Sequence, residues 1–260
     1  MSIVTLLTML IVACGATPTP DSYITPLPTR AQPEDISHQA LSDALSEVEY
    51  ELTQARSMLV YLSKAQQLRI GVESDCRAFL QQLLKTNLQY AQLGIASTDG
   101  TVYCDSGATA RERNIKQSLV FNRVTNRRDF SVGDYVKAGN MLPAAMDLAY
   151  PVLDTTNQLN AVVVAPLSLD WIADRFSAIE IPVSGEMLLI DTDGELLLRD
   201  PDSDEWVGKN ISTTPLGQAM LSKLQGSGEF AGADGVKRFY SFGSPVSSRK
   251  NLVVAVGIPR

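Results

Sequence analysis

The stretch Met187-Leu188-Leu189-Ile190-Asp191-Thr192-Asp193-Gly194-Glu195-Leu196-Leu197-Leu198 sets two apolar runs on either side of an Asp-Gly pair. That pattern reads as two strands joined by a hairpin turn. An earlier stretch has the same form. Ala91 to Ala96 is apolar, Ser97-Thr98-Asp99-Gly100 is the turn, and Thr101-Val102-Tyr103-Cys104 is the second strand. The two Asp-Gly pairs are offset by 193 − 99 = 94. A second landmark has the same offset. Pro151-Val152 precedes the apolar run Ala161 to Ala165, Pro245-Val246 precedes Leu252 to Val256, and 245 − 151 = 94. Two landmarks at one offset predict an internal duplication, and two copies make a tandem-domain chain rather than a solenoid.

Ahead of the duplicated part, Leu41, Leu45, Val48, Leu52, Ala55, Leu59 and Leu62 alternate spacings of four and three. This is a helical stripe with a seven-residue repeat. Glu47, Glu49, Glu51, Arg56 and Lys64 fall off the stripe and are expected on its solvated side. The stripe can lie along its own chain or pair with a second copy in a homodimer; packing on its own domain is preferred. Cys76 to Leu88 reads as a second amphipathic helix.

The chain has 260 residues and a formal net charge of -7, which disfavours the phosphate backbone of a nucleic acid. Three cysteines and one histidine, His38, are too few for a Cys/His zinc site, so no metal is expected. Walker, Gly-x-Ser-x-Gly and His-Glu-x-x-His motifs are missing from the sequence. The chain therefore reads as non-catalytic and without a cofactor. Among Asp191, Asp193, Asp200, Asp202, Asp204 and Glu205 the first two fit the start of a calcium loop, but its twelfth position is Asp202 rather than Glu and Leu196 to Leu198 form a strand, so they read as turn residues and solvated edges.

Ile3 to Ala13 is an uncharged apolar run, too short to span a bilayer. It ends in Ile11-Val12-Ala13-Cys14, which resembles a bacterial lipobox. The resemblance implies removal of residues 1–13 and a lipid anchor on Cys14, which holds a protein stably when two or more acyl chains are attached. No Lys or Arg precedes the run, which departs from the usual signal. Residues 14–35 carry Pro18, Pro20, Pro26, Pro28 and Pro33 and read as an extended tether.

The order of these pieces resembles the double Cache family, the PAS-like extracytoplasmic sensor domains of bacterial chemoreceptors, histidine kinases and diguanylate cyclases. The likeness covers Ile36 to Arg260. It rests on Cys76 with Asp99-Gly100 and Cys104, and on Phe130 to Tyr135. It rests also on Ala149 to Val152, Leu167 to Trp171, Ile190 to Gly194, Val207 to Asn210 and Val256 to Pro259. The resemblance implies an α+β fold: a long N-terminal helix (36–68), a membrane-distal Cache module (69–168) and a membrane-proximal one (169–260). Each module would be a central antiparallel sheet flanked by helices, with a small-molecule ligand in the distal module. The aromatic-arginine pattern with which family members grip amino acids is missing here. The chain ends at Arg260, directly after the last strand, where the family continues into a membrane helix and an output domain. This leaves a free-standing receptor working through a partner, or a shortened chain.

In an exported chain Cys76 and Cys104 read as a disulfide rather than two buried free thiols. Between the first hairpin and the closing strands lie Phe121, Arg123, Arg127, Arg128, Asp129, Phe130, Asp134, Tyr135 and Asp147. Aromatic walls with a few charges suit a small polar ligand, and an arginine fork favours an acidic group on it. For each of these residues the alternatives are core packing or solvated surface. The expected function is that of an extracytoplasmic lipoprotein that binds a small molecule and signals through a membrane partner. The alternatives are a solute-binding lipoprotein serving a transporter, and a ligand-free module that dimerises through its long helix.

Overall fold

In the computed structural model the described residues are 31–68, 73–107, 113–136, 144–201 and 203–260. The signal-like run, Cys14 and all but the end of the tether lie outside them. Helix α1 (Pro33–Lys64) opens with Pro33 in its first turn, where a missing N–H costs nothing. Glu34 and Asp35 follow, and Lys64 sits in the last turn, an order that suits the helix dipole. The stripe ends inside α1, and a short 3₁₀ turn, Gln66–Leu68, follows, so the end of the 36–68 segment is not α-helical. Ala40, Ala44, Val48, Leu52, Ala55, Leu59 and Leu62 are buried against the rest of this same chain. Glu51 departs from expectation. It is buried, because helix α4 (Leu169–Ser177) covers that side of α1 and its Trp171 Nε1 donates to Glu51 Oε1 at 2.9 Å.

Two antiparallel sheets follow. Helix α2 (Glu73–Leu84) leads into β1 (Gly94–Ser97), β2 (Thr101–Asp105), the short β3 (Arg113–Asn114) and helix α3 (Leu119–Arg127). Strands β4 (Ser131–Val136), β5 (Ala145–Leu153), β6 (Leu159–Val164) and the short β7 (Leu167–Ser168) complete the first sheet, ordered β3-β2-β1-β6-β5-β4 with β7 on β5. After α4 come β8 (Glu186–Asp191), β9 (Leu196–Asp200), helices α5 (Ser203–Trp206) and α6 (Pro215–Lys223), β10 (Gly226–Ala231), β11 (Lys237–Gly243) and β12 (Leu252–Pro259). The second sheet is ordered β10-β11-β12-β8-β9. Read from the hairpin outward, the two sheets match strand for strand, β2-β1-β6-β5-β4 and β9-β8-β12-β11-β10.

The duplication extends to single hydrogen bonds. The Gly100 and Gly194 N–H groups close their turns onto Ser97 O and Asp191 O. Both hairpins carry a bulge, at Ile95/Ala96 and at Leu189/Ile190. Beyond them, Asn114 Nδ2 donates to Asp99 O, and Asn210 Nδ2 to Asp193 O. Ser118 and Thr214 cap α3 and α6 by accepting from Phe121 N and Gly217 N. The Pro-Val landmark is one residue out of step. Gly94 pairs with Val164 and that with Ala149, while Leu188 pairs with Ala255 and that with Phe242. Ser244, not Pro245, therefore matches Pro151.

One buried cluster joins α1, α4 and the inner faces of both sheets, from Ile95 and Leu148 to Leu189 and Val254. The outer face of each sheet is covered by its own helix, α3 on the first and α6 on the second. Among the described residues no helix is long and apolar enough to cross a membrane.

Candidate functional site

On the α3 face of the first sheet, Ala96, Val102, Ala149, Val162 and Val164 meet Val120, Phe121 and Val124. Gly133 lets the helix approach closely: a Cβ there would stand 2.4 Å from Val120 Cβ. Toward the Gly94 end of β1 this face turns polar. Asp105 sits beside Gly94 in the ladder, 7% exposed, and its Oδ1 accepts the Gly107 N–H at 2.8 Å. Asp147, also 7% exposed, lies on β5 two residues before Ala149, on the same face. A small cavity of about 10 Å³, room for one water, is bounded by Gln92, Gly94, Val102, Asp105, Val164 and Pro166. The ladder puts Asp147 next to Pro166, since Met146 pairs with Leu167. Asp105 and Asp147 thus flank this end of the face from β2 and β5, three strand spacings and two residues apart, roughly 16 Å.

Of the residues proposed from sequence, Phe121 and Asp147 share this face. The others do not join them. Arg123 Nη1 donates to Val132 O at 2.7 Å and its Nη2 to Thr192 Oγ1 at 3.4 Å, reaching the second sheet's hairpin. Arg128 Nη1 donates to Asn157 O at 2.8 Å. Phe130 and Tyr135 pack on the inner side, with the cluster under α1. The Asp134 side chain lies outside what is described. Asp129 accepts from Arg56 at 3.1 Å and from Arg249. Burial opposes its ionisation, but the Phe130 N–H and the two arginines outweigh that and hold its carboxyl below the usual range. Cys76 and Cys104 form a disulfide, Cα–Cα 6.4 Å, tying α2 to β2 on the inner side of the sheet.

The corresponding face of the second sheet is closed by its own side chains. Glu186, fully buried, accepts from Arg199 Nε at 2.7 Å, from Arg238 Nη1 at 3.3 Å and from the Tyr240 hydroxyl. Asp234 accepts from Arg238 Nη2 at 2.7 Å and Arg199 Nη2 at 3.0 Å. Gly257 makes room for the Tyr240 ring: a Cβ there would be 2.4 Å from it. Burial, with Glu186 adjacent, pushes the Tyr240 hydroxyl far above its ordinary pKa. The hydrogen bond from Arg238 holds Asp234 down at about 2. Sequence reasoning missed this cluster. Its signal was a charge at Glu186, Arg199 and Arg238 within or beside otherwise apolar strands. Asp105 was missed too, lying one residue past the strand as read.

No family model matches the sequence, and no curated protein matches it either. Solved structures do match. The extracellular domain of rpHK1S-Z16 superposes with a TM-score of 0.74 at 16% identity, over 87% of this chain and 94% of that one. The ligand-binding domain of the Pseudomonas aeruginosa amino acid chemoreceptor PctB, in complex with L-Gln, gives 0.66 at 18% identity over 87% and 90%. The sensor domain of the V. cholerae histidine kinase DctB gives 0.63 at 13% identity over 86% and 93%. The fold is therefore that of extracellular sensor domains of histidine kinases and chemoreceptors. Its layout, a long helix along two tandem antiparallel sheets, is the one the sequence resemblance implies.

Proposed function

We propose that this chain is an extracytoplasmic, non-enzymatic sensor that binds a small molecule on the α3 face of its first sheet. The observation that carries this reading is the asymmetry of the two copies. The second sheet's outer face is closed by the Glu186–Arg199–Arg238–Tyr240 cluster, whereas the first keeps a water-sized cavity of about 10 Å³ beside buried Asp105. Arg123 and Arg128, the groups that would have favoured an acidic ligand, are turned onto backbone carbonyls. Asp105 and Asp147 favour a ligand with a cationic or hydrogen-bond-donating end. The ligand signals only if it favours one arrangement of the chain. Helix α3, which covers the site, is bonded through Asp129 to α1 and to the β11–β12 connection, a route by which a membrane partner reads occupancy. Cys14 carries the lipid anchor in this reading.

A thermal-shift screen of amines, amino acids, organic acids and purines tests the binding. A compound with a cationic end raises the melting temperature of the wild type as its concentration exceeds its Kd, and Asp147→Asn abolishes the rise. A screen in which no compound raises it, or in which Asp147→Asn responds like wild type, sinks this site. Cys14→Ser moving the chain out of the membrane fraction is the outcome expected of the anchor.

A further inference from the structure

The two copies differ at one helix end, and the difference opens a groove. In the first copy α3 ends at Arg128 in the left-handed conformation (φ 53). Its side chain crosses to Asn157 O at 2.8 Å in the β5–β6 turn and bridges helix end and turn. The matching position is Leu224, which ends α6 in the same conformation (φ 59). The offset is that of the two asparagines, 224 − 128 = 210 − 114 = 96. A leucine cannot make that bridge. Between the end of α6 and the β11–β12 connection lies an open groove of about 560 Å³. Leu224, Pro245 and Val246 give it an apolar lining, and Lys223, Arg249 and Lys250 bring three cations to it. No acidic residue lines it among the described residues. Neither Lys223 nor Lys250 has an ion pair among the described residues, and both are exposed. Arg249 spends one nitrogen on Asp129 and keeps the rest of its fork.

We propose that this groove binds a small polyanion, a molecule with two or more carboxylate or phosphate groups. Its volume is in the range of small-molecule sites. The Arg249 fork matches a carboxylate or phosphate, and the two lysines supply point charges for a second group. Such a local concentration of positive charge stands out on a chain of net charge -7. The groove lies at the Leu252 end of β12, whereas Glu34 and Arg260 meet at the other end, where α1 begins. The anion is taken as a free solute, with a lipid headgroup as the competing source. An anion there competes with Asp129 for Arg249, so occupancy loosens the contact that ties α3 to the second sheet.

Calorimetric titration of the full chain with citrate and with inorganic phosphate, at low ionic strength, tests the site. Citrate binds saturably and more tightly than phosphate. The Lys223→Ala/Lys250→Ala variant, which removes no described bond and keeps the wild-type melting temperature, weakens it by about tenfold or more. Amide shifts in an NMR titration concentrate at residues 223–225 and 244–250. Asp129→Asn frees Arg249 and tightens citrate binding. The absence of saturable binding, equal affinity in the double-lysine variant, or shifts located elsewhere overturns the site. Binding of anionic phospholipid vesicles in preference to citrate overturns the choice of ligand, and unchanged affinity in Asp129→Asn overturns the link to α3. The groove is separate from the α3 face of the first sheet, so a failed amine screen leaves it standing.

Discussion

Glu51 shows how one side chain can fix the position of a helix. It is 4% exposed, whereas the other charged side chains of α1 are exposed or half-buried. It accepts from Trp171 Nε1, and Arg175, which lies 4.5 Å over the Trp171 ring, comes within 3.8 Å of it. Burial, with Glu51 nearby, pushes the Tyr90 hydroxyl up to about 12. Glu51→Ala leaves a partly buried indole N–H without its acceptor, which costs about 1 kcal/mol, the low end of the range for an unsatisfied buried group. Urea unfolding of Glu51→Ala should show a lower midpoint with an unchanged slope, and Glu51→Gln, which keeps the acceptor, should recover most of it. A Gln variant as unstable as the Ala variant would show that the charge, not the hydrogen bond, matters. Asp234 makes a prediction about acid. Its folded pKa of about 2, set first by Arg238, lies below the ordinary aspartate value of about 3.9. A depressed carboxylate adds stability above its unfolded pKa, and that stability is lost as pH falls from about 4 through about 2. The urea midpoint should therefore drop across that window, and drop less in Asp234→Asn.

The turns test how far the duplication goes at the level of elements. Gly100 (φ 88) and Gly194 (φ 81) hold the two hairpins, and a Cβ on them would come within 2.5 Å of Lys116 N and 2.8 Å of Ser212 Cβ. Gly235 (φ 78) turns the β10–β11 hairpin with nothing within 4 Å. Gly235→Ala bears only the left-handed backbone cost, about 1–2 kcal/mol. Gly100→Ala and Gly194→Ala add a clash with backbone or a short side chain and should lose distinctly more in the same unfolding assay. Three equal losses would remove the steric part of the argument. These turns were legible in the sequence because Asp-Gly between apolar runs has a direct backbone meaning. The asparagine motif after them was spelled out as Asn114-Ile115 and Asn210-Ile211, but a dipeptide is too short to stand out without the hydrogen bonds. The Pro-Val landmark slipped because the β11–β12 connection differs in length, and loops absorb such changes freely. The ligand candidates on α3 and β4 scattered for another reason. Composition names arginines and aromatics, but not whether Arg123 turns to Val132 or Phe130 to the inner side.

At the scale of the whole molecule, α1 is what the two copies share. Its 32 residues span about 48 Å at about 1.5 Å each, long enough to pass both sheets. Its buried stripe belongs to one continuous cluster with Ile95, Val163, Leu189 and Val254, drawn from the first and second sheets alike. Polar contacts run beside the cluster. Glu49 accepts from Ser247 N at 2.9 Å, and Asp129 joins Arg56 of α1 to Arg249 of the β11–β12 connection. Neither sheet can bury its inner face without the helix, so neither should unfold alone. Equilibrium unfolding should be a single transition, with tryptophan fluorescence from Trp171 and Trp206 coinciding with the loss of far-ultraviolet circular dichroism. Leu52→Ala, at a fully buried position of α1, should lower stability by about 2–5 kcal/mol and shift both signals together. Two separated transitions, or a Leu52→Ala effect confined to one signal, would mean that the sheets are independent bodies. A chain built on a shared core is constrained in what it can transmit: a change at α3 reaches α1 and the second sheet through the first sheet it covers, through Arg123 on Thr192, and through Asp129 on Arg56 and Arg249.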